Sequence, residues 1–447
     1  MKYNPTLHKL SNGVSVILDP MDIETTNVSV SFKTGSLDEA PDQYGITHFC
    51  EHMLCKGTSR FPSRKSIDDY MDENAGTVNA YTSLTELRLY GRILGDNLDK
   101  LIDILSDQLR NSLFDASKIE LERIVIQDEL RRAKDDFGRQ KTDFVSRTLF
   151  GGIPLYSFKT LGTIENIKSF SRDQMLNWLS NRLSAENCTI AISGKISSPD
   201  ATLRLLESCF SFLPTHAVAN QPEPAYTPTV AHNSGKKTNN VNIFIALPKR
   251  FRVDDSERFE TMCERRFKTY LRDELYEEIR QKHGLVYGIS VGSLGQDNGL
   301  HFIETECAPE KVAQVVTLIA RTCKRVYEAG GPSDEWLRRF ESSAKLGDAD
   351  WLDSAKKRQD SLLTFFIRNK KLYNYFDAIQ LSASITAADV KKHTRGFFDV
   401  PISIVTDGPD FGVDLSSVWK QEFPESNISA PKDKTIKNIN SKSNQGR

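Results

Sequence analysis

The chain has 447 residues, enough for two to four domains with proper cores at roughly 100–200 residues each. Its 38% hydrophobic, 9% aromatic and 27% charged residues are those of an ordinary globular protein and exclude a collagen-like or wholly disordered chain. Lys and Arg number 59 against 60 Asp and Glu, without a long block of one sign, which argues against a nucleic-acid partner; no apolar run is long enough for a membrane span.

Seven scattered cysteines (Cys50, Cys55, Cys188, Cys209, Cys263, Cys307 and Cys323) without a C-x-x-C pair read as free thiols in a reducing compartment. The first residues carry neither a signal-peptide pattern nor an amphipathic presequence. Both observations point to the cytoplasm, with the mitochondrial matrix as the alternative if a presequence has been removed.

An Asn12-Gly13 turn precedes apolar alternation over 14–18, and 28–32 alternates again, so both segments predict strands. Residues 43–56 and 66–73 read as helices, and 77–82 and 87–94 as a pair of strands. Helices over 96–112 and 117–134 follow from apolar residues at helical spacing, such as Leu98, Leu101, Ile102, Leu105 and Leu109. A helix at 171–183, a strand at 189–193 and a helix at 201–212 complete the first half, residues 1–212.

Residues 213–238, rich in Pro, Asn, Thr and Ala, have the composition of a stiff linker. Beyond it the order of elements recurs over 239–410: a strand at 241–247, a long helix at 256–282, strands at 286–291 and 301–306, a helix at 311–328, helices after Ser333 and a strand at 402–405. A duplicated architecture is expected. Residues 411–447 form an extension that reads as disordered from about 424, where Ser, Asn and Lys accumulate.

The strongest chemical signal is His48-Phe49-Cys50-Glu51-His52 within the helix expected at 43–56. Histidines at i and i+4 share one helix face and can reach one zinc ion, while Glu51 beside them can handle a proton. A catalytic zinc needs a third protein ligand, and helix 117–134 offers Glu122 and Glu129, about two turns apart. Their neighbours Ile119, Leu121, Ile124, Val125, Ile126 and Leu130 are apolar, and a carboxylate in such surroundings needs a partner. Read alone, either glutamate is equally a solvated helix charge paired with Arg123 or Arg132. Cys55 returns to the histidine face of the helix, where a small buried hydrophobe and a thiol close to the metal are both open readings.

His48-x-x-Glu51-His52 followed after 76 residues by Glu129 resembles the inverted zinc motif of the M16 (pitrilysin/insulinase) metallopeptidases, in particular the smaller members related to mitochondrial processing peptidase. Gly45-Ile46-Thr47, Lys56-Gly57-Thr58, Asn79-Ala80-Tyr81-Thr82 and Leu161-Gly162-Thr163-Ile164-Glu165-Asn166-Ile167 are similar to the same family, over about residues 5–408. The resemblance implies an α+β fold of two tandem, structurally similar domains, each with a mostly antiparallel sheet covered by helices. It implies one Zn2+ per chain on His48, His52 and Glu129, with Glu51 as general base and Glu122 as a supporting carboxylate. It also implies that Asn79 and Ala80 lie on a sheet edge to which substrate adds as a strand, and that Arg280 and Tyr287 help to hold the carbonyl that becomes an oxyanion.

One departure stands out. Two acidic residues expected about ten and fourteen positions after the third ligand in presequence-cleaving members are Arg139 and Asp143 here, which argues against arginine-directed cleavage. The expected function is a zinc endopeptidase cleaving unstructured peptides inside a clamshell dimer. The alternatives are a peptidase dedicated to one precursor peptide and a noncatalytic partner or scaffold subunit. Because one chain carries both the metal motif and the Arg-Tyr element, a homodimer is expected, with a heterodimer with an M16 relative as the alternative.

Overall fold

The computed structural model describes residues 3–151, 158–219, 221, 225–234, 238–250, 258–295 and 299–428. The chain begins with β1 (Thr6–Lys9), β2 (Ser15–Pro20), β3 (Thr25–Phe32), α1 (Ile46–Leu54), α2 (Arg64–Glu73), β4 (Gly76–Thr82), β5 (Leu87–Leu94), α3 (Leu98–Asn111) and α4 (Ala116–Asp135). Then come α5 (Phe137–Phe150), α6 (Ile164–Ser169), α7 (Arg172–Arg182), β6 (Cys188–Gly194), α8 (Pro199–Phe210), β7 (Val230–Asn233), β8 (Val241–Pro248) and α9 (Arg258–Leu275). The remainder is β9 (Ile289–Leu294), β10 (Leu300–Cys307), α10 (Val312–Ala329), α11 (Asp334–Asp353), α12 (Ala355–Asn369), α13 (Tyr375–Ser384), α14 (Ala387–Phe398), β11 (Ser403–Asp407) and α15 (Leu415–Glu422). Among the described residues no helix is long and apolar enough to cross a membrane.

Two sheets organise these elements, in the spatial orders β1-β2-β6-β3-β5-β4 and β7-β11-β8-β10-β9. Apart from the extra strand β1, the two orders are the same: each sheet opens with one parallel pair, β2 with β6 and β7 with β11, and continues antiparallel. The duplication expected from the order of elements is therefore present in the strand topology.

The chain forms two compact units that interleave in sequence. The first comprises 1–140, 157–222 and 345–375, and the second 141–156, 223–344 and 376–447. This differs from a single cut at the linker, and the reason is the second face of each sheet. In the first unit α1, α3, α4, α7 and α8 bury one face of the sheet, with Val28, Val30, Phe49, Leu101, Leu105 and Trp178 in a common core. Its other face is covered by α12, whose Leu362, Leu363 and Phe366 pack on Ile17 of β2 and Ala191 of β6. In the second unit Val145, Leu149 and Phe150 of α5 lie on Phe244, Ala246, Leu300 and Val405 in the corresponding manner. A sheet with two apolar faces needs helices on both.

Other differences have local causes. The segment 213–238 is not all linker, since β7 pairs in parallel with β11. The helix expected at 256–282 is α-helical only to Leu275, after which Tyr276–Lys282 winds as a π-type turn. The strand expected at 286–291 begins at Ile289, after Gly284 with φ +62°. Residues 411–428 belong to the second core through Leu415, Trp419, Phe423 and Ile428, so the part of the extension from 424 to 428 is packed; 429–447 lie outside the described residues.

The α12 contact contains a buried ion pair. Arg358 and Asp19 are both 0% exposed, and Arg358 Nε donates to Asp19 Oδ2 at 2.8 Å while its Nη2 donates to Asp19 Oδ1. The Tyr3 ring lies 5.0 Å from the guanidinium. Breaking such a pair from one side leaves an uncompensated buried charge. Arg358→Met is therefore expected to destabilise the protein by about 3–5 kcal/mol, and Asp19→Leu/Arg358→Met to recover most of that loss. Denaturant unfolding of both variants checks the sign: a double variant no more stable than the single one contradicts this account.

Candidate metal centre

Helix α1 begins where the backbone leaves the left-handed region at Gly45, φ +93°. A Cβ on Gly45 would stand 2.4 Å from Cα of Gly162, itself at φ +93°, so two glycines meet back to back where the helix starts. Gly45 offers no side chain to cap the helix, and Glu39 does so from outside. Its carboxylate accepts from the backbone N–H of Gly45 at 2.7 Å and of Thr47 at 2.9 Å. Burial pushes this carboxyl up to about 8 despite both donors. Phe49, Cys50 and Met53 then anchor α1 in the core.

Helix α4 is positioned by Ile119, Ile126 and Leu130, all buried in the same core. Leu121, Ile124 and Val125 are instead 45–60% exposed, so the apolar surroundings expected for the glutamates come from one side of the helix only. Glu122 is buried. Its Oε2 lies 2.8 Å from His52 Nδ1 and its Oε1 2.7 Å from Lys56 Nζ. Arg123, one of the two candidate partners from sequence, pairs with Glu120.

His48, His52 and Glu129 converge: one possible ligand atom from each lies within 4.8 Å of the others. Glu129 Oε2 is 3.6 Å from His48 Nε2 and 3.7 Å from His52 Nε2, and the imidazole centroids are 4.6 Å apart. Burial, with His52 adding to it, pushes His48 down to about 3, so its imidazole is neutral and able to donate a lone pair. Burial raises the Glu122 carboxyl, but hydrogen bonds with His52 and Lys56 outweigh it and hold the group below its ordinary value. Burial raises Glu51 above its ordinary value, opposed by the neighbouring Thr82 and His52.

This donor set fits zinc. Two imidazole nitrogens and one carboxylate oxygen are an ordinary catalytic ligand set that leaves a fourth position open. Glu122 engages His52 at Nδ1 and so leaves Nε2 facing Glu129. Cys55 is buried in the core, where its thiol is pushed up to about 11 by burial, as for a small hydrophobe.

The other expected site residues fall in two places. β4 is the edge strand of its sheet. Ala80 is buried toward α1, whereas the exposed Asn79 lies on the opposite face, with its Oδ1 accepting from the Ala80 N–H at 2.9 Å. Arg280 and Tyr287 belong to the second unit. Tyr287 is not on a strand but in a bend, 89% exposed, with the Arg280 guanidinium 5.9 Å from its ring centroid. His283 Nδ1 lies 2.8 Å from the carbonyl of Glu278 and caps the π-type turn. Asp143 is buried and paired with Arg147 at 2.6 Å, and Arg139 is exposed.

Sequence reasoning missed Glu39 and Lys56. Lys56 stands four residues after His52, a helical spacing that could have revealed it. Glu39 reaches α1 from an irregular loop and leaves no periodic signal.

The chain is 24% identical over 356 residues to an uncharacterized zinc protease of Streptomyces coelicolor, covering 76% of each chain. It is 33% identical over 195 residues to the mitochondrial-processing peptidase subunit beta of Dictyostelium discoideum, covering 42% of this chain and 40% of that one. Among solved structures, the periplasmic protease PqqL of Escherichia coli superposes with a TM-score of 0.78 at 16% identity, covering 98% of this chain and 52% of that one. The model for the insulinase family, peptidase family M16, matches residues 16–157, and that for the peptidase M16 inactive domain matches 169–340. With both ranges matched over well more than half its length, the chain belongs to the M16 peptidase family.

Proposed function

We propose that this chain is a zinc-dependent endopeptidase that takes unstructured peptides as an added strand along β4. The observation that carries the reading is the convergence of His48, His52 and Glu129, with Glu51 on the same short helix. A bound Zn2+ would supply Lewis-acid polarisation of a carbonyl oxygen and make water acidic enough to lose a proton near neutral pH. Glu51 takes the proton of the water that attacks the scissile carbonyl and delivers it to the departing amine nitrogen. The burial that raises Glu51 above an ordinary carboxylate suits a group that must hold that proton between the two steps. The main chain of β4 at Asn79 and Ala80 holds the peptide by ladder hydrogen bonds, the Ala80 N–H exchanging its Asn79 Oδ1 acceptor for a peptide carbonyl, and such bonds carry little sequence preference.

Arg280 and Tyr287 are the donors proposed for the developing oxyanion. The exposure of Tyr287 accords with a side chain kept for substrate rather than for packing. The chain spans 52% of PqqL, and both the metal motif and the Arg-Tyr element reside on it. We infer a symmetric homodimer whose sites are completed in trans, with a heterodimer with an M16 relative as the alternative. The noncatalytic reading draws on residues 169–340, which match an inactive-domain model, and on the lack of a second H-x-x-E-H in the sequence. The complete donor set in the first half favours the active one.

One Zn2+ per chain is expected by metal analysis. Glu51→Gln should keep it and lower turnover by about 10²–10⁴-fold, whereas Glu129→Gln should weaken metal binding. Glu122→Ala, which frees His52 Nδ1, should weaken zinc binding by about 10–100-fold. Zinc lost from Glu51→Gln, or chelator-insensitive cleavage, contradicts these roles.

For assembly, Glu51→Gln chains are mixed with Tyr287→Phe chains, each nearly inactive alone. Activity rising toward half of wild type in the mixed dimer is expected for sites formed in trans. No recovery after demonstrated subunit exchange rules them out.

A further inference from the structure

Helix α12 covers only part of the outer face of the first sheet. Gln359 on this helix accepts from Ser29 Oγ of β3 at 3.0 Å and donates to the carbonyl of Ala191 of β6 at 2.8 Å. Beyond β3 the helix meets β5 through side chains of its first two turns, with Asp360 on the buried Arg88 and Lys356 over the ring of Tyr90, while the outward Arg92 of β5 and Thr77 and Asn79 of β4 stay exposed. The step between the start of α12 and these strands is a cavity of about 570 Å³, with Asn27, Thr77, Asn79, Tyr90 and Arg92 along its floor and residues 353–356 at its wall. It lies within the first unit and opens toward the edge strand β4.

The charges of this ledge are unevenly paired. Arg88 is bound to Glu86 and Asp360, and Lys356 also pairs with Asp360, at 2.6 Å. Arg92 has no carboxylate within ion-pair distance among the described residues, and its Nη2 donates to Thr25 Oγ1 at 3.1 Å. The wall holds both the C-terminal end of α11 at Asp353 and the N-terminal end of α12 at Ala355, whose dipoles oppose each other there, so the cation of the floor is Arg92 itself. Asp353 at the wall and Asp72, in the adjoining hollow beside Arg92, are exposed and oppose its charge without reaching the guanidinium. A guanidinium that meets a hydroxyl but, among the described residues, no carboxylate has the chemistry to receive one.

Strand parity connects the ledge to substrate. Along β4, Val78 and Ala80 face the helices of the metal centre while Thr77 and Asn79 face the ledge. A peptide added beside β4 alternates in the same way, so every second side chain stands over the ledge. Resting on the reading that peptides add to β4, we propose that the ledge is a subsite for Asp or Glu side chains of the peptide, with Arg92 as its specificity-determining residue. The site selects acidic residues at alternate positions, on the face of the peptide turned away from the metal centre.

The test uses the zinc-loaded protein and matched unstructured peptides carrying Glu, Gln or Lys at every second position, in either of the two parities. Expected is a kcat/KM about tenfold higher for Glu than for Gln in one parity only, expressed in KM, as for one charge-assisted contact. Arg92→Glu should reverse the preference toward the Lys peptide, and Arg92→Lys should retain part of it. Equal rates in both parities, or a Glu preference that survives Arg92→Glu, would overturn the subsite. Binding of the same peptides to zinc-loaded Glu51→Gln, measured by fluorescence anisotropy, separates this failure from that of the peptidase reading. If nothing is cleaved but a parity-dependent Glu preference is bound and lost on Arg92→Glu, the subsite stands and the peptidase reading falls. Absence of binding by any peptide overturns both.

Discussion

The carboxylate of Glu122 ties together the two helices on which the metal centre depends. It is buried between His52 Nδ1 at 2.8 Å and Lys56 Nζ at 2.7 Å, and so joins the middle of α4 to the end of α1. A buried carboxylate without partners would cost several kcal/mol, and these two contacts remove that cost only when the helices sit in one register. The same contacts aim His52 Nε2 at Glu129, two turns further along α4. An ion pair, a histidine orientation and a helix-helix register are thus one interaction.

Around that link the duplicated fold supplies different chemistry at equivalent places. Apart from β1 both sheets have the same strand order, and in each unit the chain between the first strand after the parallel pair and the edge strand carries candidate site residues. Between β3 and β4 this segment holds α1 with its histidines, and between β8 and β9 it holds the π-type turn with Arg280 and the bend with Tyr287. In the proposed function, one copy would supply the metal donors and the other the hydrogen-bond donors for an oxyanion.

The sequence made the local parts legible. Histidines at i and i+4, a glutamate between them and amphipathic α4 follow from helical periodicity, and the ladder of β4 with β5 follows from alternation. What it hid was nonlocal. The exchange of 345–375 into the first unit answers the need of a two-faced sheet for a second cover, and no pattern within α12 says which sheet it will lie on. Glu39 caps α1 from a loop, and β7 is four residues in a Pro-rich stretch, too short for alternation to register. Expecting Tyr287 on a strand failed because Gly284 and Gly288 on either side release the chain from the ladder.

The partial cover given by α12 has a consequence for how a peptide would be read. Had the helix reached across to β4, the outer face of the edge strand would be apolar and a bound peptide would pack its outward side chains into a core. Because it reaches β5 only at Arg88 and Tyr90, the floor beyond is polar, and among the described residues Arg92 has no carboxylate within ion-pair distance. Ladder hydrogen bonds at β4 ignore side chains, and the inner face is taken up by the buried Val78 and Ala80 beneath α1. On the proposed reading, discrimination through the first unit would fall to the face turned away from the metal ligands, where alternate residues of the peptide would meet Arg92. Cleavage chemistry and charge selection would then occupy opposite faces of the same strand, so a substitution on the ledge would change which peptides are held without disturbing the groups that act on the bond.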